Sequence, residues 1–357
     1  MPDEVVAKET QDRKVQHINI ILNENTQYKK TNMMELVEIE PNGGEIDPKE
    51  VDTGMRFMGR DISAPVFISG MTGGHPISFQ INRDIAEAAS RLKIPMGVGS
   101  QRAMLEKKEL AYTYDVKKFV DDLILIGNMG ASRLGRYSHE KIQEMLDIIK
   151  ADAFAIHTNP GQESVQPEGD LDFRGVYDRI VDVAKAIRQP VVVKEVGNGI
   201  SKEVAASLRG KVHAIDVQGA GGTTWIGVET YRSKGSHGMA FWEWGIPTAL
   251  SLLESKSAFD GPVWASGGIR DPIDIVKGIA MGAEVCGMAK PVIVSEREGG
   301  SEGVFSFMSD MIEGVRREMG ALGFSTIDEL RNSKVSFINP LKSILEERGI
   351  KKPGPVA

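Results

Sequence analysis

A single cysteine, Cys286, in 357 residues excludes an internal disulfide framework and fits a reducing compartment. Long apolar runs are also missing. None approaches the roughly 18 residues that a membrane span requires, and Met1-Pro2-Asp3-Glu4 lacks the charged and apolar regions of a signal peptide. The expectation is a cytoplasmic chain with no membrane partner. Basic charge is not in excess either: lysine and arginine number 43 against 50 acidic residues, a net charge of −7. That argues against a nucleic-acid surface but leaves room for a local basic pocket. No Gly-x-Gly-x-x-Gly fingerprint opens a strand–helix unit, which weakens a classical dinucleotide site. No low-complexity tract or linker divides the chain.

The composition is that of a globular enzyme or binding protein, 41% apolar and 26% charged. Eight short apolar runs follow in order: Pro65–Ser69, Pro95–Gly99, Leu123–Gly127, Ala153–His157, Val191–Glu195, Ala214–Val217, Val263–Ser266 and Glu284–Gly287. Most are near-continuous in β-branched and other apolar residues, as parallel strands buried on both faces are. Amphipathic stretches lie between them. In Ser138–Lys150 the apolar Ile142, Met145, Leu146 and Ile149 recur at helical spacing behind a serine N-cap, and Val176–Ile187 repeats the pattern. Eight strand–helix alternations with short turns predict a closed α/β barrel of the TIM (β/α)8 type over residues 65–325. A single domain is expected, with residues 1–64 as an amino-terminal extension and residues 326–357 as a helical tail. The tail opens on Thr326-x-x-Glu329, the form of a capping box. Strands 6 and 7 are separated by residues 223–262, longer than one helix needs. This insertion carries Trp225, Phe241, Trp242 and Trp244, and reads either as a lid over the barrel mouth or as a surface loop packed by its own aromatics.

In such a barrel, function belongs to the residues just after each strand. Here they are Gly70 to Gly74, Ser100-Gln101-Arg102, Asn128, His157 to Glu163, Lys194-Glu195 and Gln218 to Thr223. The last two strands run into Ser266-Gly267-Gly268-Ile269-Arg270 and Gly287-Met288-Ala289, and Asp271-Pro272 reads as an N-cap and first helical position. Glycines let backbone N–H groups approach a phosphate, and a helix N-terminus adds partial positive charge. Hydroxyls, amides and one lysine suit a polar heterocycle. Together these features point to a phosphorylated ring cofactor, and flavin mononucleotide (FMN) fits better than a dinucleotide. Lys194 reads as a charge partner for an anion or an electron-rich ring, with a Schiff-base nucleophile and a plain ion pair to a neighbouring carboxylate as alternatives. Glu163 is a hard oxygen ligand that suits Mg2+, although one carboxylate by itself is more simply a solvated surface residue. His157 is either a general base or a hydrogen-bond partner of a phosphate or backbone group, while Asn159 and Gln162 can only orient or donate. Arg13 and His17 share a face if their segment is helical, and with Lys14 they make a clamp for a diphosphate. On residue types alone a solvated charged face is the simpler account there. Arg102, beside Ser100 at a strand end, is the stronger anion ligand.

Taken in order, Arg13-Lys14 with His17, Gly70-Met71-Thr72-Gly73-Gly74, Gly99-Ser100-Gln101-Arg102, Asn128 and His157-x-Asn159-x-x-Gln162-Glu163 form a specific series. It continues through Lys194-Glu195-Val196-Gly197, Gly221-Gly222-Thr223, Trp244-Gly245-Ile246-Pro247-Thr248 and Ser266-Gly267-Gly268-Ile269-Arg270. The series resembles the flavin-dependent, type 2 isopentenyl-diphosphate isomerases and spans nearly the whole chain. The resemblance implies a TIM barrel holding FMN that is active when reduced, with NADPH as reductant and Mg2+ on the substrate diphosphate. It implies interconversion of isopentenyl and dimethylallyl diphosphate by a 1,3-allylic proton shift in isoprenoid biosynthesis, in a homo-oligomer, most often a tetramer or octamer. Carried over residue by residue, Met71, Thr72, Gly73, Ser100, Asn128, Lys194, Thr223, Gly267, Gly268, Arg270 and Ala289 would bind FMN. Arg13, Lys14, His17, Ser100, Arg102, His157, Asn159 and Gln162 would contact substrate, and Glu163 would bind Mg2+. Gln162, His157 and Lys194 would be the catalytic residues. Two departures are Thr224, where many relatives have serine, and Lys290, which is variable and is left out of the site.

The implied reaction puts a proton on C4 of an unactivated alkene and removes one from C2. Gln162 and Asn159 do not ionise usefully, Glu163 is committed to metal, and His157 is a mild acid. The reading therefore gives the proton to reduced FMN, through N5 or C4a. Two rivals compete. A 2-hydroxyacid oxidase or dehydrogenase needs a base and a carboxylate-gripping arginine after strand 6, where this chain has Gln218-Gly219-Ala220-Gly221-Gly222-Thr223. A non-catalytic barrel binding a phosphorylated ligand has little use for so many convergent polar groups.

Overall fold

Aliphatic runs bounded by glycine and proline form eight parallel strands. They are β1 Val66–Ile68, β2 Met96–Gly97, β3 Leu125–Gly130, β4 Ala153–His157, β5 Val191–Lys194, β6 Ala214–Asp216, β7 Val263–Ser266 and β8 Cys286–Met288. The computed structural model describes residues 2–235 and 237–350, with side chains from Arg13 onward. Each strand pairs with the next in sequence, and β8 returns to β1 with Cys286 opposite Val66 and Met288 opposite Ile68. The ring is closed, a TIM barrel as the strand–helix alternation predicts. Most boundaries shift by one or two residues, and one by three: β3 continues past Gly127 to Gly130, because its ladder with β4 persists until Gly130 faces His157. Asn128 therefore stands inside a strand rather than after it.

Side chains alternate between the two faces of each strand. Val66, Ile68, Leu125, Phe154, Ile156, Val193 and Ile215 join the large core shared with the surrounding helices. Phe67, Ile126, Ala155, Val192, Ala214 and Trp264 form a second, inner cluster, plugged by Phe57 and Ile62 of the antiparallel hairpin Met55–Phe57/Arg60–Ile62. Both Phe57 and Phe67 lie against the Trp264 ring, at 5.3 and 5.2 Å between centroids. Two residues further along, the same inward face turns polar. Phe67 is followed by Ser69, Ile126 by Asn128, Ala155 by His157, Val192 by Lys194, Ala214 by Asp216 and Trp264 by Ser266. An apolar plug thus carries a polar tier at the carboxyl ends of the strands.

The predicted helices form at His139–Ile148, where the Ser138 side chain accepts from Lys141 N, and at Val176–Ala186. Asp271 does precede helix Pro272–Ala280, but its carboxylate makes no cap bond. Asp274 Oδ2 instead accepts from Arg270 N at 3.1 Å. In the tail, Thr326 Oγ1 accepts from Glu329 N at 3.2 Å, and Glu329 Oε2 accepts from Ser325 N at 2.7 Å, one residue earlier than the motif has it. The tail is not wholly helical. Val335–Phe337 pairs antiparallel with Val37–Ile39 of the extension, between helices Ile327–Arg331 and Leu341–Glu347. Pairing satisfies backbone groups that both segments bury beside the barrel. Residues 351–357 of the expected tail lie outside the described residues.

The insertion is shorter than its sequence limits suggest, because Thr248–Ala258 is the ordinary helix between β6 and β7. What is added is helices Trp225–Ser233 and His237–Phe241 with the turn that follows. Helix Pro2–Asn23 of the extension lies against Trp225–Ser233, and the two roof the barrel mouth. Among the described residues no helix is long and apolar enough to cross a membrane.

The turn after β1 is set by contact with an aromatic ring. A Cβ on Gly73 would fall 1.9 Å from Cε1 of the fully buried Tyr114, whose hydroxyl donates to Ser100 O at 2.8 Å. Gly73→Ala is therefore expected to cost about 1–3 kcal/mol of stability through overpacking. Denaturant unfolding checks this, and Tyr114→Leu in the same chain should recover part of the loss.

Candidate active site

The polar tier opens into two adjoining cavities. The first is lined by Arg13, Lys14 and His17 from helix Pro2–Asn23, by Met71, Thr72, Ser100, Arg102, Asn128, His157 and Lys194 from strand ends, and by Asn159, Gln162 and Glu163 from the short helix Pro160–Val165 after β4 and the residue before it. The second is lined by Gln27, Gly222, Gly267, Gly268 and Arg270. Ser69, Val196, Gln218, Thr223, Trp225, Ala289 and Lys290 border both. Of the residues given a binding or catalytic role from the sequence, Gly73 alone lines neither cavity; it is spent on the Tyr114 ring. Lys290, left out on sequence grounds, borders both. It is the first residue of the long helix Lys290–Leu322, and burial and then the Arg270 charge pull its pKa down. Its position immediately after Ala289 was the available signal.

Arg13, Lys14 and His17 are not a solvated face. Lys14 is packed so closely that burial, and then the charges of Arg13 and Arg102, pull its pKa down to about 7. His17 is 6% exposed, places Nε2 2.9 Å from Glu229 Oε1 and meets the Trp225 ring edge-on at 5.1 Å. Burial lowers the His17 pKa, so the neutral ring donates from Nε2 to the carboxylate.

Glu229 is the group that sequence reasoning missed. It has no solvent exposure and sits on helix Trp225–Ser233 among buried Ile226, Val228 and Thr230. Oε1 accepts from His17 Nε2 at 2.9 Å, Gln162 Nε2 at 3.0 Å and the Gln166 amide at 3.1 Å, while Oε2 accepts from Arg232 Nε at 2.5 Å. Burial pushes its pKa up, but these donors outweigh burial and hold it down at about 2. The chain of contacts continues from Arg232 Nη2 to Glu168 Oε2 at 2.7 Å, and from Glu168 Oε1 to Arg13 Nη1 at 3.2 Å. A lone carboxylate in an apolar helix stretch was the only sequence signal.

On the barrel side, Asn128 Nδ2 donates to Val98 O at 3.1 Å, which leaves its Oδ1 to face His157 Nδ1 at 2.8 Å. His157 therefore carries its proton on Nδ1 and offers Nε2 as an acceptor. Burial, then the charges of Lys194 and Lys14, hold its pKa well below the usual histidine value, so it is neutral. Lys194 Nζ donates to Glu195 O at 3.1 Å. An ion pair with Glu195 is not formed: its carboxylate turns away, Oε2 accepting from the N–H groups of Val196, Gly197 and Asn198 at 2.7, 3.1 and 2.8 Å.

The second cavity suits a phosphate. Gly267 and Gly268 hold φ of +106° and +75°, and a Cβ on Gly222 would come within 2.5 Å of Gly268 N, so this wall is backbone without side chains. Arg270 stands at its edge, donating to Gly221 O at 3.0 Å and to Gln27 Oε1. A metal cage is a different matter. Among the described residues no group of three or more histidine, cysteine, aspartate or glutamate side chains could hold an ion. Glu163 stands alone, Oε1 accepting from Asn159 Nδ2 at 3.0 Å and Oε2 from Asp170 N at 2.8 Å. It fits a Mg2+ whose other ligands come from phosphate and water.

Comparison with known proteins identifies relatives of the chain. A family model described as FMN-dependent dehydrogenase matches residues 141–337. The isopentenyl-diphosphate delta-isomerase of Pyrococcus furiosus is 42% identical over 350 residues, covering 94% of this chain and 89% of its own length. The protein of the same name from Methanothermobacter thermautotrophicus is 42% identical and covers 95% and 96%. Among solved structures, a mutant flavocytochrome b2 with sulfite bound superposes with a TM-score of 0.68 at 16% identity, covering 100% of this chain and 92% of its own. A lactate oxidase from Pediococcus acidilactici gives 0.68 at 15%, covering 94% of each. At that identity the structural likeness speaks for the fold alone.

Removing Glu229 would strand a guanidinium and two amides without their acceptor. Glu229→Ala is expected to cost about 3–5 kcal/mol, read as a lower denaturation midpoint, and to loosen helix Pro2–Asn23 toward proteolysis. Glu229→Gln, which keeps the shape, should lose less.

Proposed function

Because the chain belongs to the isopentenyl-diphosphate delta-isomerases of the flavin-dependent type 2, we propose that it interconverts isopentenyl and dimethylallyl diphosphate with FMN held at the barrel mouth. The observation that carries this reading is that the side chains lining the first cavity offer no strong acid. Lys14 is a mild acid with a pKa of about 7, His157 is neutral with its proton turned to Asn128, and Glu229, which bonds to His17 and Gln162 of that lining, is held ionised with a pKa of about 2. Gln162 and Asn159 are amides. An unactivated alkene needs a stronger acid than these provide. Bound here, reduced FMN supplies the acid and base of the allylic shift.

The protein's own part is placement. Gly222, Gly267, Gly268 and Ala289, with Arg270, take the flavin phosphate, and Lys194, Asn128, Ser100, Thr72 and Met71 take the ring. Arg13, Lys14 and Arg102 converge on one wall of the first cavity and take the diphosphate, and Glu163 takes the Mg2+ that the diphosphate brings. Glu229 fixes His17 and Gln162 so that both present a defined edge to the hydrocarbon, while Trp225 and helix Pro2–Asn23 exclude water. NADPH as reductant, a homo-oligomeric state and a cytoplasmic location complete the proposal and rest on the family resemblance. The oxidase rival lacks support: the residues after β6 include no histidine or arginine, and Arg232 in the insertion is engaged by Glu229 and Glu168.

The test is an anaerobic assay with isopentenyl diphosphate and Mg2+, using oxidised FMN and FMN reduced by dithionite or NADPH. Dimethylallyl diphosphate should form only with reduced flavin. No product in either state, with flavin bound, would overturn the reading and favour a screen for oxygen consumption with 2-hydroxyacids. The low pKa of Lys14 adds a second expectation. The lysine must be charged to grip a diphosphate, and its charge is lost as pH rises, so kcat/KM should fall above about pH 7. Lys14→Arg should move that fall to higher pH.

A further inference from the structure

One buried carboxylate in the polar tier has no part in the scheme above. Asp216 ends β6, is 1% exposed and stands opposite Lys194 in the β5–β6 ladder. Both side chains border the small void beneath the first cavity. Asp216 Oδ2 accepts from Gln218 Nε2 at 2.8 Å, and Oδ1 accepts from Ser266 Oγ. Gln218 takes a φ of +40°, uncommon for a residue with a side chain, and its amide is turned back onto this carboxylate and onto Ser69 Oγ at 3.3 Å. A strained residue and two hydrogen bonds hold a charge-bearing group under a cofactor cavity.

We propose that Asp216 is a positioning residue for Lys194, forming with it a pair of zero net charge that holds bound reduced FMN in its neutral form rather than as the anion. The inference rests on the flavin reading above. Isolated buried charge is costly, so the two groups titrate together. Burial raises the aspartate pKa and lowers the lysine pKa, while each charge opposes the shift of the other. With both ionised, or with the proton moved to the carboxyl, the pair sums to zero. Among the other titratable groups nearby, His157 is neutral and the Glu195 carboxylate faces its own three N–H groups, while Lys14 and Lys290 also border the cavity and are the same in wild type and Asp216→Asn. An unbalanced lysine below the ring would favour loss of the flavin proton, and the reaction needs that proton.

The experiment compares wild type and Asp216→Asn, each loaded with FMN, after flavin binding has been confirmed by fluorescence quenching. Asparagine keeps the shape and removes the counter-charge. The midpoint potential should move positive, and the neutral-to-anionic absorbance change of the reduced flavin should move down by about one pH unit. In a Lys194→Met background the same substitution should add no shift, because a buried carboxyl without its cation is protonated. Bound FMN with unchanged potential and titration, or equal shifts in both backgrounds, would overturn the proposal. Failure of the wild-type protein to bind FMN would instead overturn the functional reading. Should Asp216→Asn not fold, the infrared spectrum of Lys194→Met with isotope-labelled aspartate decides. A carbonyl stretch from a protonated buried aspartate supports the pair, and its absence overturns it.

Discussion

A carboxylate with no exposure to water has to be compensated wherever the chain puts it, and Glu229 organises the roof of this barrel for that reason. Its partners come from three separate places: His17 from the amino-terminal helix, Gln162 and Gln166 from the short helix after β4 and its end, and Arg232 from its own helix. None of these elements would otherwise have a strong reason to meet at one point. The helix Pro2–Asn23 is largely polar, and its amphipathicity alone would not dock it. The ionic chain through Arg232 and Glu168 to Arg13 carries the same constraint outward. Arg13, at the first cavity, is thus held by a network that is itself anchored in a dry interior.

Beneath this roof the barrel applies a simple rule of strand geometry. Residues two apart share a face, so one substitution pattern, apolar then polar, repeated on successive strands, converts a hydrophobic plug into a floor of functional groups. Trp264, Phe67 and Ile126 fill the interior; Ser266, Ser69 and Asn128 stand above them. The aromatic contacts among Phe57, Phe67 and Trp264 make the plug rigid, which matters because a polar tier is useful only if its members do not shift. The glycines of the turns after β6 and β7 then allow two backbone segments to touch, leaving a wall without side chains beside Arg270.

Much of this was legible in the chain. The eight strands were readable because strands buried on both faces are continuously apolar and end abruptly in small or polar residues. The residues following them were readable as a polar rim for the same reason, and the ordered motifs supplied a resemblance that implies roles for Arg13, Gln162 and Glu163. Other features were not readable. Asn128 belongs to a strand because its neighbour Gly130 finds a partner in His157, a matter of ladder length. The strand Val335–Phe337 exists because Val37–Ile39 lies beside it. Gly73 resembled part of a cofactor turn, yet the Tyr114 ring accounts for it.

By itself, then, the sequence determined the barrel, the number and order of its strands, and the polar rim at their carboxyl ends. Those depend on local patterns of hydrophobicity and turn residues, which act over a few positions. Only the tertiary structure decided which charges are buried and what compensates them. Lys14 is a weak base, His17 and His157 are neutral, Glu229 is a fixed anion and Asp216 faces Lys194. These properties arise from desolvation and from partners as many as 212 residues apart, and distance along the chain says nothing about either.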